Sequence, residues 1–193
     1  MKMTTKRLLC LCLLSLLALP AAFSSAFGWE FGIGSGYVYY GDSDVRARNR
    51  MISDSNQVLL HLSTGTLIQI APQLFFCRGV DSMTDFRWKG SDHINMVDYA
   101  GVMGFHFYPG LAGLLFDAEY ALGRRTDIVA LNNADDDEIH STRWGNGFKF
   151  GVAYDFSHAG LGLAPVVGAS WRHMPRGDSS DDIIAVFLRL AVR

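Results

Sequence analysis

The stretch STRWGNGFKFGVAYDF, residues 141–156, alternates with a period of two. In an extended chain, Trp144, Phe148, Phe150, Val152, Tyr154 and Phe156 fall on one face. Arg143, Gly145, Gly147, Lys149, Gly151, Ala153 and Asp155 fall on the other. Such alternation marks a strand with two unlike environments. The contrast here is one of size. Bulky, mostly aromatic groups face one way, and glycine, alanine and a few charges face the other.

The same pattern repeats outward from this stretch in both directions. It predicts strands over residues 29–40, 56–65, 66–77, 94–107, 113–123, 161–173 and 183–192, eight with the first. In the first of these, Phe31, Ile33, Tyr37 and Tyr39 oppose Gly32, Gly34 and Gly36. In the last, Ile184, Val186, Leu188, Leu190 and Val192 oppose Ala185, Arg189 and Ala191. Short turns are read near Gly65, Pro109 and Ala159. Long polar connections are read over residues 41–55, 78–93, 124–140 and 175–182. Two prolines, Pro72 and Pro165, fall inside predicted strands, where they call for bulges.

Which face points outward decides the class. An eight-stranded barrel has an interior just wide enough to be filled by side chains. The aromatic face is too bulky for that interior in every segment, whereas the Gly/Ala/Ser face fits it. Segments near ten residues match a tilted membrane-crossing strand, and closure removes the unpaired edges that hydrocarbon does not tolerate. The expectation is an eight-stranded, antiparallel, up-and-down transmembrane β-barrel. Alternating short and long connections place both chain ends at the short-turn end. Trp29, Tyr37, Tyr39, Tyr40, Phe107, Tyr108, Tyr120, Trp144, Phe156 and Trp171 lie near segment ends and suit interfacial girdles.

The N-terminus predicts export. Lys2, Lys6 and Arg7 precede an apolar run from Leu8 to Leu19, and Ser24-Ser25-Ala26 offers a small-residue cleavage site. The domain reading is a signal peptide over residues 1–26 and a barrel over 27–193. Without the signal, 14 basic and 19 acidic residues leave the barrel at −5, with no basic patch for nucleic acid. Cys10 and Cys12 leave with the signal, so the remaining Cys77 has no internal disulfide partner.

Charges on the small face would lie in the lumen. Asp117, Glu119, Arg143, Lys149, Arg172 and Arg189 are the candidate site, a network centred on Glu119 and Asp117 with Lys149 and Arg189. Desolvated charges persist only when paired. Such a network fills and locks the barrel; an ion path is the other use, with little room for it. His61 and His106 are read as lumen fillers.

Tests for chemistry are weak. His173 is followed by Met174 and Pro175, and Ser179 and Ser180 are displaced into a connection beside Asp181 and Asp182. A serine nucleophile needs its base within hydrogen-bond reach, and this spacing does not promise it. Asp135, Asp136, Asp137 and Glu138 lack the spaced ligands and turn glycine of a calcium loop. The Gly32, Gly34, Gly36 series has no following helix to make it a phosphate loop. No cofactor, metal or catalytic group is expected, and no enzymatic activity.

The layout resembles the small eight-stranded outer-membrane proteins of the OmpA transmembrane-domain, OmpX and OmpW types, from about Phe27 to Arg193. The resemblance rests on pattern and is fold-level analogy. Those proteins usually end in an aromatic residue read by the insertion machinery; this chain ends Leu190-Ala191-Val192-Arg193. The resemblance implies a location in the outer membrane, with lipid and the insertion machinery as partners. It also implies host or environmental ligands met through four surface-exposed loops. The expected role is surface adhesion or envelope structure. A narrow OmpW-like channel for small apolar solutes is the alternative, and a lipid A deacylase-like enzyme comes behind it.

Overall fold

The computed structural model describes residues 27–52, 54–110, 113–131, 137–157 and 163–192. The expected signal peptide, residues Asp135 and Asp136 of the acidic stretch, and most of the expected turn near Ala159 lie outside them. Among the described residues, no helix is long and apolar enough to cross a membrane; the crossing elements are strands.

These are β1 (Phe27–Tyr40), β2 (Asn56–Ala71), β3 (Leu74–Lys89), β4 (Asp92–Phe107), β5 (Leu114–Ala130), β6 (Glu138–Ser141), β7 (Gly145–Asp155), β8 (Leu163–Arg176) and β9 (Ser179–Val192). One helix, α1 (Ser43–Met51), follows β1. Every strand pair is antiparallel, and pairing of β1 with β9 closes the sheet. The short β6 and the longer β7 both pair with β5 and form one barrel strand, which gives a closed barrel of eight. Between them, residues 142–144 oppose only Arg124 and Arg125, a bulge of one residue.

The register fixes the barrel's girth. Following opposed residues around from Trp29 gives Thr66, Arg78, Met103, Tyr120, Phe148, His173, Asp182 and then Tyr39. The circuit returns ten residues further along β1, from 29 to 39. That stagger forces the strands to tilt by roughly 40° and leaves a lumen just wide enough for side chains.

The faces sort by size. Phe148, Phe150, Leu188 and Ile33 are about half exposed on the outer surface, in a shell that continues around every strand. Inward positions carry Gly, Ala and nearly all the buried charge. Glycines make this possible: at Gly34 and Gly36 an added Cβ would run into the backbone of β9.

Several boundaries differ from the sequence reading. β2 runs straight through Thr64, Gly65 and Thr66 to Ala71. Gly65 faces the lumen, where a Cβ would lie 3.2 Å from Glu30 Oε1. It makes room for that carboxylate rather than a turn. Pro72 therefore sits in the two-residue β2–β3 turn, preceded by a bulge at Ile70. Pro165 needs no bulge, because β8 keeps a continuous register with β9 across it. Its carbonyl accepts from Phe156 N at 2.9 Å, just past the end of β7, so the missing N–H costs no ladder bond.

Two of the four expected long connections are tight turns. Residues 78–93 are mostly strand, turning at Gly90 and Ser91, and residues 175–182 turn at Gly177 and Asp178. Gly90 and Gly177 have φ of 63° and 69°, a conformation that favours glycine. The connection 41–55 carries α1, and β5 runs on to Ala130 before the chain turns back into β6. Tyr40 also departs from the girdle reading; it is buried in the lumen.

α1 caps the barrel at the end away from the termini. Asp42 accepts from Asp44 N at 2.8 Å as the N-cap, and Arg48 and Arg50 sit at the negative end of the helix dipole. Val45 and Ile52 drop into an apolar cluster with Val38, Tyr40, Met83, Ile94, Met96, Val129 and Ile183. A smaller cluster of Leu115, Ala153, Val166 and Phe187 fills the other end.

A charge placed on the outer face tests this arrangement. Phe150→Arg, in the middle of the apolar band, is expected to destabilise the barrel by about 2–4 kcal/mol, and Tyr39→Arg at the band's edge by about 0–1 kcal/mol. Urea unfolding in lipid vesicles reads both; equal costs would contradict the placement of the band.

Candidate functional site

Between the two apolar clusters the lumen is occupied by charge. Arg189 of β9 bridges Glu30 of β1 at 3.2 Å and Asp117 of β5 at 3.0 Å. His106 of β4 lies 3.4 Å from Asp117 and 3.2 Å from Glu119. Lys149 of β7 joins Glu119 at 3.3 Å to Asp81 of β3 at 2.8 Å. Asp81 also meets His61 of β2 at 3.0 Å and Arg172 of β8 at 3.0 Å. Arg172 continues to Asp98 at 2.5 Å, and Asp98 to Arg176. Arg176 pairs with Asp181 at 2.6 Å, and Asp181 with Arg125 at 2.5 Å. Arg125 holds Asp127 at 2.7 Å, which meets Arg48 of α1 at 3.2 Å.

The result is one ladder of alternating charge running the length of the lumen. It has seven carboxylates against six Lys and Arg side chains, with His61 and His106 at its inner steps. Each of the eight barrel strands contributes at least one member. Apart from Arg48 at the mouth, its side chains are at most 13% exposed. A separate group sits beside it, where Tyr40 Oη donates to Asp85 at 3.0 Å and Gln57 Nε2 donates at 2.8 Å.

Five of the six predicted site residues meet in this ladder: Asp117, Glu119, Lys149, Arg172 and Arg189. Arg143 does not. It lies exposed in the bulge at 142–144. The extra residue breaks the alternation there, and Thr142 takes the place next to β5, its Oγ1 accepting from Arg125 N at 2.9 Å. Asp81, Arg125, Asp127, Arg176 and Asp181 were not singled out, because they fall in segments read as loops. A signal for them existed: Asp81, Met83, Asp85 and Arg87 alternate with Val80, Ser82, Thr84 and Phe86.

Other chemistry is limited. Cys77 Sγ, a His106 nitrogen and a Glu119 oxygen lie within 4.8 Å of one another. Glu119 is already engaged by Lys149 and His106. Beside them remains a void of about 10 Å³, room for about one water. His173 Nδ1 pairs with Asp182 Oδ1 at 2.8 Å on the outer face. Trp171 Nε1 donates to that same oxygen at 3.0 Å, and among the described residues no serine bonds to His173. The His–acid half of a triad is present without its nucleophile.

A closed eight-stranded transmembrane barrel of the outer-membrane type, its lumen filled by paired charge, is the class that these features define. No sequence-family model matches the chain, and no curated protein matches it in sequence. Solved structures do. Ail, the attachment invasion locus protein of Yersinia pestis, superposes with a TM-score of 0.56 at 10% identity, covering 86% of this chain and 98% of that one. Neisserial surface protein A gives 0.53 at 13% identity, covering 87% and 97%. At these identities the likeness is one of fold.

Removing one member of the ladder leaves charges buried without partners. Asp81→Asn, which strips Lys149 and Arg172 of a shared carboxylate and His61 of its charged partner, is expected to cost about 3–5 kcal/mol. Arg143→Ala is expected to stay within about 0.5 kcal/mol of the parent. Denaturant unfolding in detergent micelles compares the two.

Proposed function

We propose that this chain is a non-enzymatic protein of the bacterial outer membrane that presents its α1 connection and β5–β6 hairpin to the environment. On this reading residues 1–26 direct export, the insertion machinery places the barrel, and lipid surrounds it. The observation that carries the reading is the filled lumen. A ladder of ion pairs anchored on every strand, with apolar clusters at both ends, suits a rigid platform and fills the lumen among the described residues. Recognition on such a platform resides in its connections. Those at the mouth are polar and carry both charge signs, including Arg46 and Arg50 of α1 and Lys89 of the β3–β4 hairpin.

The fold neighbours suit this role. One is described as an attachment invasion protein, solved also with the heparin analogue sucrose octasulfate, and the other as a surface protein. A narrow channel for apolar solutes is the reading that the filled lumen argues against.

Cells displaying the protein are expected to adhere to immobilised heparin or extracellular-matrix protein. Replacing residues 43–51 and 132–137 with short Gly/Ser linkers is expected to abolish adhesion while the barrel keeps its heat-modifiable gel mobility. In planar bilayers the purified protein is expected to show no steady conductance. Unchanged adhesion after the replacement, or stable single-channel steps, would overturn the proposal.

A further inference from the structure

The outer surface of the barrel is not uniform. Across β1 to β5 the bulky shell is interrupted by a groove of about 680 Å³. Its walls are Trp29, Met103, Tyr120 and Trp144, and its floor is set by Val80 and Gly101. Gly101 points outward, since Ala100 beside it is buried, and a Cβ there would meet only Leu122 O at 3.9 Å. A residue with open space above it, set among Trp29, Met103, Tyr120 and Trp144, leaves a channel one chain wide.

Arg78 lies at the end of this groove nearest the termini. Its cross-strand partners are Thr66 and Met103, and Met103 is exposed, so Arg78 faces outward too. On that half of the band it is the one charged side chain facing outward among the described residues. Among the described residues it forms no ion pair; its Nε donates to Thr66 Oγ1 at 3.3 Å. Arginine on the lipid face costs up to about 2–4 kcal/mol at mid-membrane and little near an interface. Arg78 stands four residues into β3, roughly 10 Å from the rim given the rise and tilt of a strand. Its long stem reaches the headgroup layer from there.

At the opposite end the groove is closed. Tyr99 and Trp144 meet edge to face with ring centroids 6.2 Å apart, and the Arg124 guanidinium lies within about 6 Å of both rings.

We propose that the groove is a phospholipid site. The terminal nitrogens of Arg78, aimed by the bond from Nε to Thr66, take the phosphate of a lipid in the periplasmic leaflet. One acyl chain of that lipid runs over Val80 and Gly101 towards the Tyr99–Trp144 pair. A guanidinium suits this role because two parallel N–H bonds match two phosphate oxygens. The site rests on the barrel's place in the membrane and is independent of what its connections recognise.

Native mass spectrometry of the full chain, extracted in mild detergent, tests the site. Phosphatidylglycerol, diacylglycerol and inorganic phosphate are added in separate arms. The wild type is expected to hold a single phosphatidylglycerol and neither of the other two probes. Arg78→Gln is expected to weaken retention about tenfold or more, the loss of charged hydrogen bonds. Gly101→Phe is expected to displace the acyl chain although Arg78 remains, and Val80→Phe provides the same test from the adjacent strand. Heat-modifiable mobility shows which variants are folded. Equal retention by the folded variants and the wild type would overturn the proposal. So would tight binding of inorganic phosphate alone, or a second copy of the chain found disulfide-linked through a Gly101→Cys substitution, in a Cys77→Ser background, in place of lipid.

Discussion

Desolvation of charge is the constraint on which the rest of the structure depends. The lumen of an eight-stranded barrel with this stagger excludes bulk water, and an ion brought into it alone costs several kcal/mol. This chain places seven carboxylates and six strong bases there. Every carboxylate but Asp127, which pairs with Arg125 of its own strand and Arg48 of α1, finds a base from another strand, so the ladder sets which strands stand opposite which. Arg172 of β8, for instance, spans the lumen to reach Asp81 of β3 and Asp98 of β4. Pairing of this kind adds little net stability over an apolar core; what it does is penalise any slipped register that leaves a charge alone.

The small residues follow from the same requirement. Long basic side chains fit into a narrow lumen where the neighbouring position on the adjacent strand carries no side chain. Gly32 lies against Arg189, and Gly145 lies against Arg176. Bulk is thereby exported to the outer face, where hydrocarbon accepts it. The apolar shell and the charged interior are two results of one packing problem.

Much of this was legible in the sequence, most clearly in residues 141–156. Large–small alternation revealed the number of strands, their outward face and the core of the charge network at Asp117, Glu119, Lys149 and Arg189. What was misread shares a cause. Away from the apolar band, outward positions of a barrel strand turn polar, as Ser82 and Thr84 do, while inward positions stay charged, as Asp81 and Asp85 do. Both faces are then polar, so β3 resembles a loop. Gly65 reads as a turn in the sequence because its reason, the Glu30 carboxylate beside it, comes from another strand. Arg143 failed through a one-residue bulge, which no period-two reading detects. The groove at Arg78 is invisible for a similar reason: its lining comes from five strands side by side.

The central claim concerns the two faces of the barrel wall. Nitroxide labels placed singly at residues 146 to 154 of β7, in a Cys77→Ser background reconstituted in lipid vesicles, test it through their collision rate with dissolved oxygen. The account predicts high rates at Phe148, Phe150, Val152 and Tyr154 and low rates at Lys149, Gly151 and Ala153, with a period of two. High rates at the odd-numbered positions, or a profile without that period, would contradict it.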